Sequence, residues 1–364
     1  MNNTIFLVSS LTLISSLFFA FFNKKSLFIL ISLFSLSFLF FNRQYGPDYP
    51  DYLLLFTEFE PTVKLFFQGE IEPLWLPISF IASNILIIPN LSFLTVGLVS
   101  FFIRIYTAKK LFKQNVLFAI SISIYILNDF FSRDMGQLRS GLSTSILGLA
   151  IYFYLINQKK YFYFFIITSA LIHYQSIFLY ILILLFDSLK IDFFKIKLRS
   201  FIFVILILIF FRTYMLDLVI YLQNIDIFSI FFYKVFVYMT SDRYSVEGGF
   251  IDFKTPYFVY LSLIISGISL IFNRAYYSGR LSVLMNIQLL VSFIFYGLLN
   301  YPVLASRFAG VIAGLNYIIY PIALKLFFER FNSSYRPIFY FTSFILVVAG
   351  CVLSALRYNA TYII

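Results

Sequence analysis

Charge is what this 364-residue chain has least of: 12% of its residues are Asp, Glu, Lys or Arg, against 61% that are hydrophobic. A soluble domain carries about 25% charged residues, so no soluble fold can hide this composition. Soluble enzymes, nucleic-acid binders and secreted disulfide scaffolds are excluded together. Cysteine is nearly absent: Cys351 has no second cysteine to pair with, which removes any disulfide framework. One histidine, His173, and that one cysteine lie in different segments and make no recognisable zinc site, so no metal is expected. A Walker A loop and a Rossmann glycine pattern are both missing, so neither a nucleotide nor another cofactor is expected.

What the chain does have is hydrophobic runs, recurring from end to end, with a mean hydropathy of +0.92. About 20 apolar residues cross the roughly 30 Å hydrocarbon core of a bilayer as a helix. The fold class expected is an all-α, polytopic integral membrane protein with 10–12 transmembrane helices, forming a single transmembrane domain over 1–364. The first apolar stretch, Thr4 to Phe22, lacks the basic leader and small-residue cleavage site of a signal peptide and is read as a span.

The net charge of +11 is a statement about topology before it is one about partners. The polar breaks between apolar runs are of two kinds. One kind is basic with almost no acid: Lys24 and Lys25; Arg104, Lys109, Lys110 and Lys113; Lys159 and Lys160; Lys190 to Arg199; Arg274 and Arg280; Lys325 to Arg336. The other kind holds most of the acids, mainly in 43–72 and 217–254. The positive-inside rule puts the first set in the cytoplasm and the second outside. Spans are then expected near 4–22, 26–42, 91–108, 116–131, 140–157, 200–220, 256–272, 281–299, 308–327 and 337–356, with both termini external. Large extracytoplasmic loops are expected at 43–72 and 221–255. Two segments do not fit full crossings. Residues 73–88 are interrupted by Pro73, Pro77 and Pro89 and read as a re-entrant or interfacial helix. Residues 161–186 lie between basic loops, with the polar patch His173–Ser176 at their midpoint, and read as a broken helical hairpin.

Ionisable residues beside or inside apolar sequence are the candidates for chemistry. In Arg43-Gln-Tyr-Gly-Pro-Asp48-Tyr-Pro-Asp51-Tyr52 the Gly46–Pro47 turn folds Asp48 and Asp51 back toward Arg43. The plainer alternative is a solvated loop with a helix cap at Asp51. Glu70 and Glu72 precede a proline-started apolar helix, either as dipole partners or with one carboxylate offered to a cavity. Arg133 and Arg139 stand on the outer side against the charge rule. Arg139 opens a helix of small residues that lets a partner come close, and a guanidinium there suits a phosphate or carboxylate. The alternative is an internal ion pair with Asp134 or Asp129. His173 is a functional candidate or a satisfied core residue, with Tyr174, Gln175 and Ser176 beside it. Arg243, in Asp242-Arg243-Tyr244, and Arg307, the one charge in its loop, are external arginines in need of partners. Arg212 reads as a structural residue that pairs with Asp217 or snorkels.

The ordered set Arg43, Gly46, Asp48, Tyr49, Tyr52, then Glu72-Pro-Leu, then Gln137-x-Arg139 before a small-residue helix resembles the EpsG-like, Wzy-type polysaccharide polymerase family. His173 followed by Ser176, and Arg307 followed by Phe308, extend the resemblance from about 43 to 308. Ile177 departs from it, standing where a small residue is expected after the serine. The resemblance implies a bacterial cytoplasmic-membrane enzyme, active on its outer face, that joins repeat units carried on undecaprenyl diphosphate into O-antigen, capsule or exopolysaccharide. Its implied partners are that lipid-linked oligosaccharide, membrane lipid and a chain-length regulator, with no nucleic acid. It implies Asp48, Glu72 or His173 as the group that orients or deprotonates the attacking hydroxyl. Arg43, Tyr52, Gln137, Arg139, Arg243 and Arg307 are implied on the substrate-binding side, the last three arginines toward diphosphate. Two other readings stay open at this level: a glycan ligase using the same donor, and a lipid-linked oligosaccharide flippase.

Overall fold

The structure, a computed structural model, describes residues 3–42, 48–68, 71–190, 279–297, 314–329 and 333–362, with isolated positions at 214, 217, 220–221 and 310. Among these residues every element is helical and none is a strand. The helices are α1 (Asn3–Phe21), α2 (Lys25–Phe41), α3 (Tyr49–Thr57), α4 (Phe59–Phe67), α5 (Trp75–Ile81), α6 (Pro89–Leu111) and α7 (Asn115–Tyr125). They continue with α8 (Leu138–Leu155), α9 (Lys159–Ile172), α10 (Gln175–Leu189), α11 (Gly279–Gly297), α12 (Asn316–Phe328) and α13 (Arg336–Tyr362). Two π-helical stretches extend α5 and α7, Ala82–Leu86 and Ile126–Asp134.

The helices carry an inside-out pattern. On α2 the exposed positions Leu27, Leu30, Phe34, Phe38 and Phe41 are large and apolar, while Ser32 and Ser35 are buried. Ser32 meets Ser16 of α1 at 3.0 Å between hydroxyl oxygens. Lipid tails are as apolar as leucine, so helices in a bilayer associate through small and hydroxyl-bearing faces and turn their bulk outward. Among the described residues three helices, Pro89–Leu111, Leu138–Leu155 and Arg336–Leu356, are long and apolar enough to cross a membrane, and six shorter apolar helices accompany them.

Turn chemistry at the basic breaks is local and legible. Asn23 and Asn157 take positive φ (65° and 66°) just after α1 and α8, the left-handed residue that closes a helix C-terminus. The following amides, Lys24 N–H and Gln158 N–H, reach back to the Phe19 and Phe153 carbonyls at 2.6 and 2.9 Å. In α12, Pro321 cannot donate to the Tyr317 carbonyl, and the Ser121 hydroxyl of α7 donates to it instead at 2.6 Å.

The chain divides into two compact units, 1–178 with 314–364, and 179–313. In the first, α1 packs on α2, α6 on α8, α8 on α9, and both α12 and α13 on α7. In the second, α11 buries Leu284, Met285, Ile287 and Leu289 along with Asn286.

Helices occupy the expected spans at 4–22, 26–42, 91–108, 116–131, 140–157, 281–299 and 337–356, and α12 covers the later part of 308–327. The expected spans at 200–220 and 256–272, like the loop 221–255, lie outside the described residues apart from a few positions. Residues 73–88 form the short α5 and its π turn, and 159–189 break into α9 and α10 at His173–Tyr174. Within the expected loop 43–72, residues 49–67 form two short helices, because Tyr52, Leu55 and Phe56 recur at helical spacing and bury one face. Two readings change. Helix α3 starts at Tyr49 with Asp48 at its N-cap position, so Asp51 lies in the first turn and is not the cap. Arg104 is not part of a cytoplasmic basic loop: it is fully buried within α6 and paired with Asp134.

Candidate functional site

The break between α9 and α10 leaves orphan backbone groups, because the last carbonyls and first amides of helices have no partner within the helix. The segment 72–75 fills that gap. Leu74 N–H donates to the Leu171 carbonyl at 3.1 Å, and the Trp75 indole donates to the Ile172 carbonyl at 3.1 Å. On the other side of the break, the Glu72 carboxylate accepts from Tyr174 N–H at 3.4 Å, at the electropositive start of α10. Pro73 and Trp75 thus turn the chain so that Glu72 points at the break.

Glu72 then holds two further groups. Its Oε1 lies 2.7 Å from His173 Nδ1, and its Oε2 lies 3.1 Å from an Arg139 Nη1. A carboxylate only accepts, so Nδ1 is the ring nitrogen that carries a proton and donates, and Nε2 lies on the far side of the ring, away from Glu72. Arg139 sits in the first turn of α8, where its backbone N–H donates to the Tyr52 hydroxyl at 3.1 Å. The same hydroxyl meets the Arg139 guanidinium, and Asp48 is close enough to act on that charge. Behind the polar groups stands an aromatic wall of Tyr52, Phe56, Trp75 and Phe93, all buried. It lowers the local dielectric and strengthens the contacts it backs.

Burial assigns the roles. The Glu72 side chain is 6% exposed, His173 15% and Arg139 28%. The carboxylate is the anchor at the back, and the imidazole and guanidinium are what a substrate can reach. Burial by itself raises the Glu72 carboxyl. The His173 hydrogen bond, the Arg139 charge and its own backbone bond outweigh that and hold it below its usual range. A carboxylate so stabilised is a weak proton acceptor and a firm positioning group.

Of the sequence candidates, Asp48, Tyr52, Glu72, Arg139 and His173 converge here. Gln137 is at the N-cap of α8, where its carbonyl accepts from Gly141 N–H at 2.9 Å, and it is half-buried. Arg43, Glu70, Arg212, Arg243 and Arg307 lie outside the described residues. Arg133 takes the internal-pair alternative, with its Nε 3.1 Å from Asp129 Oδ1. Ser176 does not join the site: its hydroxyl is buried 2.7 Å from those of Ser143 and Ser169, tying α8 to the break. Sequence reasoning missed Trp75, whose signal was being the one tryptophan beside a proline-bounded acid. It also missed Arg104, whose signal was an arginine flanked by Ser100 and Thr107 inside an apolar run.

Helices with lipid-facing bulk around a half-open acid–base cluster define a polytopic membrane protein with the means for group transfer. The sequence model of the EpsG family matches residues 25–363, nearly the whole chain. The chain belongs to the EpsG family, and is therefore a polysaccharide-polymerase-type membrane protein. No curated protein and no solved structure matches it.

Proposed function

We propose that the protein polymerises oligosaccharide repeat units carried on undecaprenyl diphosphate, on the outer face of a bacterial cytoplasmic membrane, toward O-antigen, capsule or exopolysaccharide. The observation that carries this reading is the Glu72 bridge: one buried carboxylate holds a base and a guanidinium side by side at a partly open surface. In the proposed step a hydroxyl of the incoming unit attacks the anomeric carbon of the growing chain. The new carbon–oxygen bond forms as the bond from that carbon to the diphosphate oxygen breaks. His173 Nε2 takes the hydroxyl proton. Glu72 keeps the imidazole in the right tautomer, so it is a positioning residue. Arg139 faces the diphosphate, where the developing charge of the leaving group is stabilised without any metal. Asp48 tunes the Arg139 side of the site, and Arg43, Arg243 and Arg307 are proposed as substrate-binding residues on the strength of the sequence pattern alone.

A deletion strain complemented with His173→Ala tests this. The expected glycan is a single attached repeat unit with protein abundance near wild type. A ladder of wild-type length would overturn the assignment. Long unattached glycans in the deletion strain itself would move the activity to ligation, and loss of all surface glycan would move it to lipid-linked oligosaccharide transport.

A further inference from the structure

Behind the site lies a second ionic cluster, closed to solvent. Arg104 of α6 is 0% exposed and donates from Nη2 to the Gly141 carbonyl at 3.1 Å and to Thr144 Oγ1 at 2.8 Å, both on α8. From Nη1 it donates to Ser100 Oγ at 3.2 Å and to Asp134 Oδ2. Asp134, the last residue of the π stretch, also accepts from the Tyr125 hydroxyl and, at 3.1 Å, from Ser100 Oγ. The Tyr125 ring lies under the guanidinium at 4.4 Å. A charge inside a membrane bundle is expensive and persists only with partners, and this one has four acceptors and an aromatic face.

The cluster's geometry has a direction. Its α8 contacts, the Gly141 carbonyl and Thr144, fall on the first two turns of the helix that Arg139 opens. Gly141 allows this because a Cβ there would lie 2.2 Å from Asp134 Oδ1, so only glycine lets the carboxylate come so close. Three elements (α6, the π stretch and α8) are thereby fixed at one point, two residues from Arg139.

We propose that Arg104, Asp134 and Gly141 form a clamp that positions Arg139 for catalysis. The inference rests on the reading of Arg139 as a substrate contact. Arg104 and Asp134 never touch the substrate and act by setting the height and rotation of the first turn of α8. A misplacement of about 1 Å in such a group can cost about 10²-fold in rate.

The test uses the full-length protein in membranes. Lysine at 104 keeps a positive charge beside Asp134 but cannot fork to the Gly141 carbonyl and Thr144 together. Arg104→Lys is expected at near wild-type abundance with polymerisation per molecule at least tenfold lower. Thr144→Val, which removes one acceptor, should lose less. A second readout does not depend on activity. In a Cys351→Ser background, Arg139→Cys is labelled with a membrane-impermeant maleimide, and adding Arg104→Lys should change its labelling rate at least threefold. An unchanged labelling rate overturns the clamp, whatever the activity. So does a changed rate with wild-type polymerisation in Arg104→Lys. If Arg139→Lys itself polymerises normally, the reading of the site falls, while the labelling arm still decides whether Arg104 sets the position of this turn.

Discussion

Replacing Glu72 with glutamine is the sharpest single perturbation of the site, because volume and shape are kept while the charge goes. The carboxylate makes two charge-assisted contacts, 2.7 Å to His173 and 3.1 Å to Arg139. Such bonds contribute about 1.5–3 kcal/mol each. An amide oxygen can still accept from His173 Nδ1–H, so most of that contact survives. Its NH2 then faces the Arg139 guanidinium, donor against donor. Arg139 is 28% exposed, so water recovers part of its loss. The net destabilisation comes to about 2 kcal/mol, a modest share of the roughly 5–15 kcal/mol of a folded domain. Activity should fall much further, by about 10²-fold, because the guanidinium is no longer held where the diphosphate needs it. Glycan banding and immunoblotted membrane abundance in a complemented deletion strain read the two effects separately. Glu72→Asp keeps the charge but is one methylene short of spanning both contacts, and should fall between. Wild-type banding from Glu72→Gln at normal abundance would refute the anchor role outright.

Four further outcomes follow from the same geometry. Arg139→Lys should lose most polymerisation at near-normal abundance, since a point charge replaces a planar fork; full activity would leave Arg139 as a structural residue. The Glu72 carboxyl is held below its usual value, so the folded state binds fewer protons than the unfolded one: its contribution is complete above about pH 4.3 and is lost as pH falls through the lowered value. Melting curves of wild type and Glu72→Gln in detergent should therefore differ at neutral pH and converge on acidification, and parallel curves would contradict this. Ser121→Ala strands the Tyr317 carbonyl that Pro321 leaves without an amide, costing about 1–3 kcal/mol, seen as a lower Tm with activity per folded molecule unchanged. Gly148→Ala puts a Cβ 2.0 Å from the Tyr317 hydroxyl, and the overpacking, about 1–3 kcal/mol, should show as reduced membrane abundance.

The sequence made the site's members visible because ionisable residues stand out against apolar surroundings. Glu72, Arg139 and His173 were each exceptional where they stood. Their mutual contact was not legible, since it joins positions 67 and 101 residues apart through the tertiary packing of a broken helix on a proline-bounded turn. Nor was the ranking of the three: only burial separates the carboxylate that anchors from the imidazole that reaches out. Arg104 was hidden by its neighbours. Counting charges along the chain merges it with Lys109 and Lys110, whereas in space it lies within the bundle and they lie at the helix end. The short helices at 49–67 were obscured by acids and prolines on their exposed side, although the spacing of Tyr52, Leu55 and Phe56 carried the signal.

The π stretch at Ile126–Asp134 has a consequence for how this chain can change length. A π turn holds one residue more than an α turn over the same span, as the Met135 amide bonding to the Phe130 carbonyl five residues back illustrates. Removing a single residue anywhere in that stretch would let it relax into ordinary α-helix, a gain in local backbone regularity. Because the π turn already carries the extra residue, such a deletion leaves the helical segments on either side in phase, whereas the same deletion in the α-helical part of α7 rotates everything beyond it by about 100° about the axis. A one-residue deletion within Asn115–Tyr125 would therefore swing Asp134 off Arg104 and leave two opposite charges stranded in an apolar interior. A deletion inside the π stretch that spares Asp134 should be the milder of the two. The extra residue behaves as slack, held in reserve just ahead of the clamp.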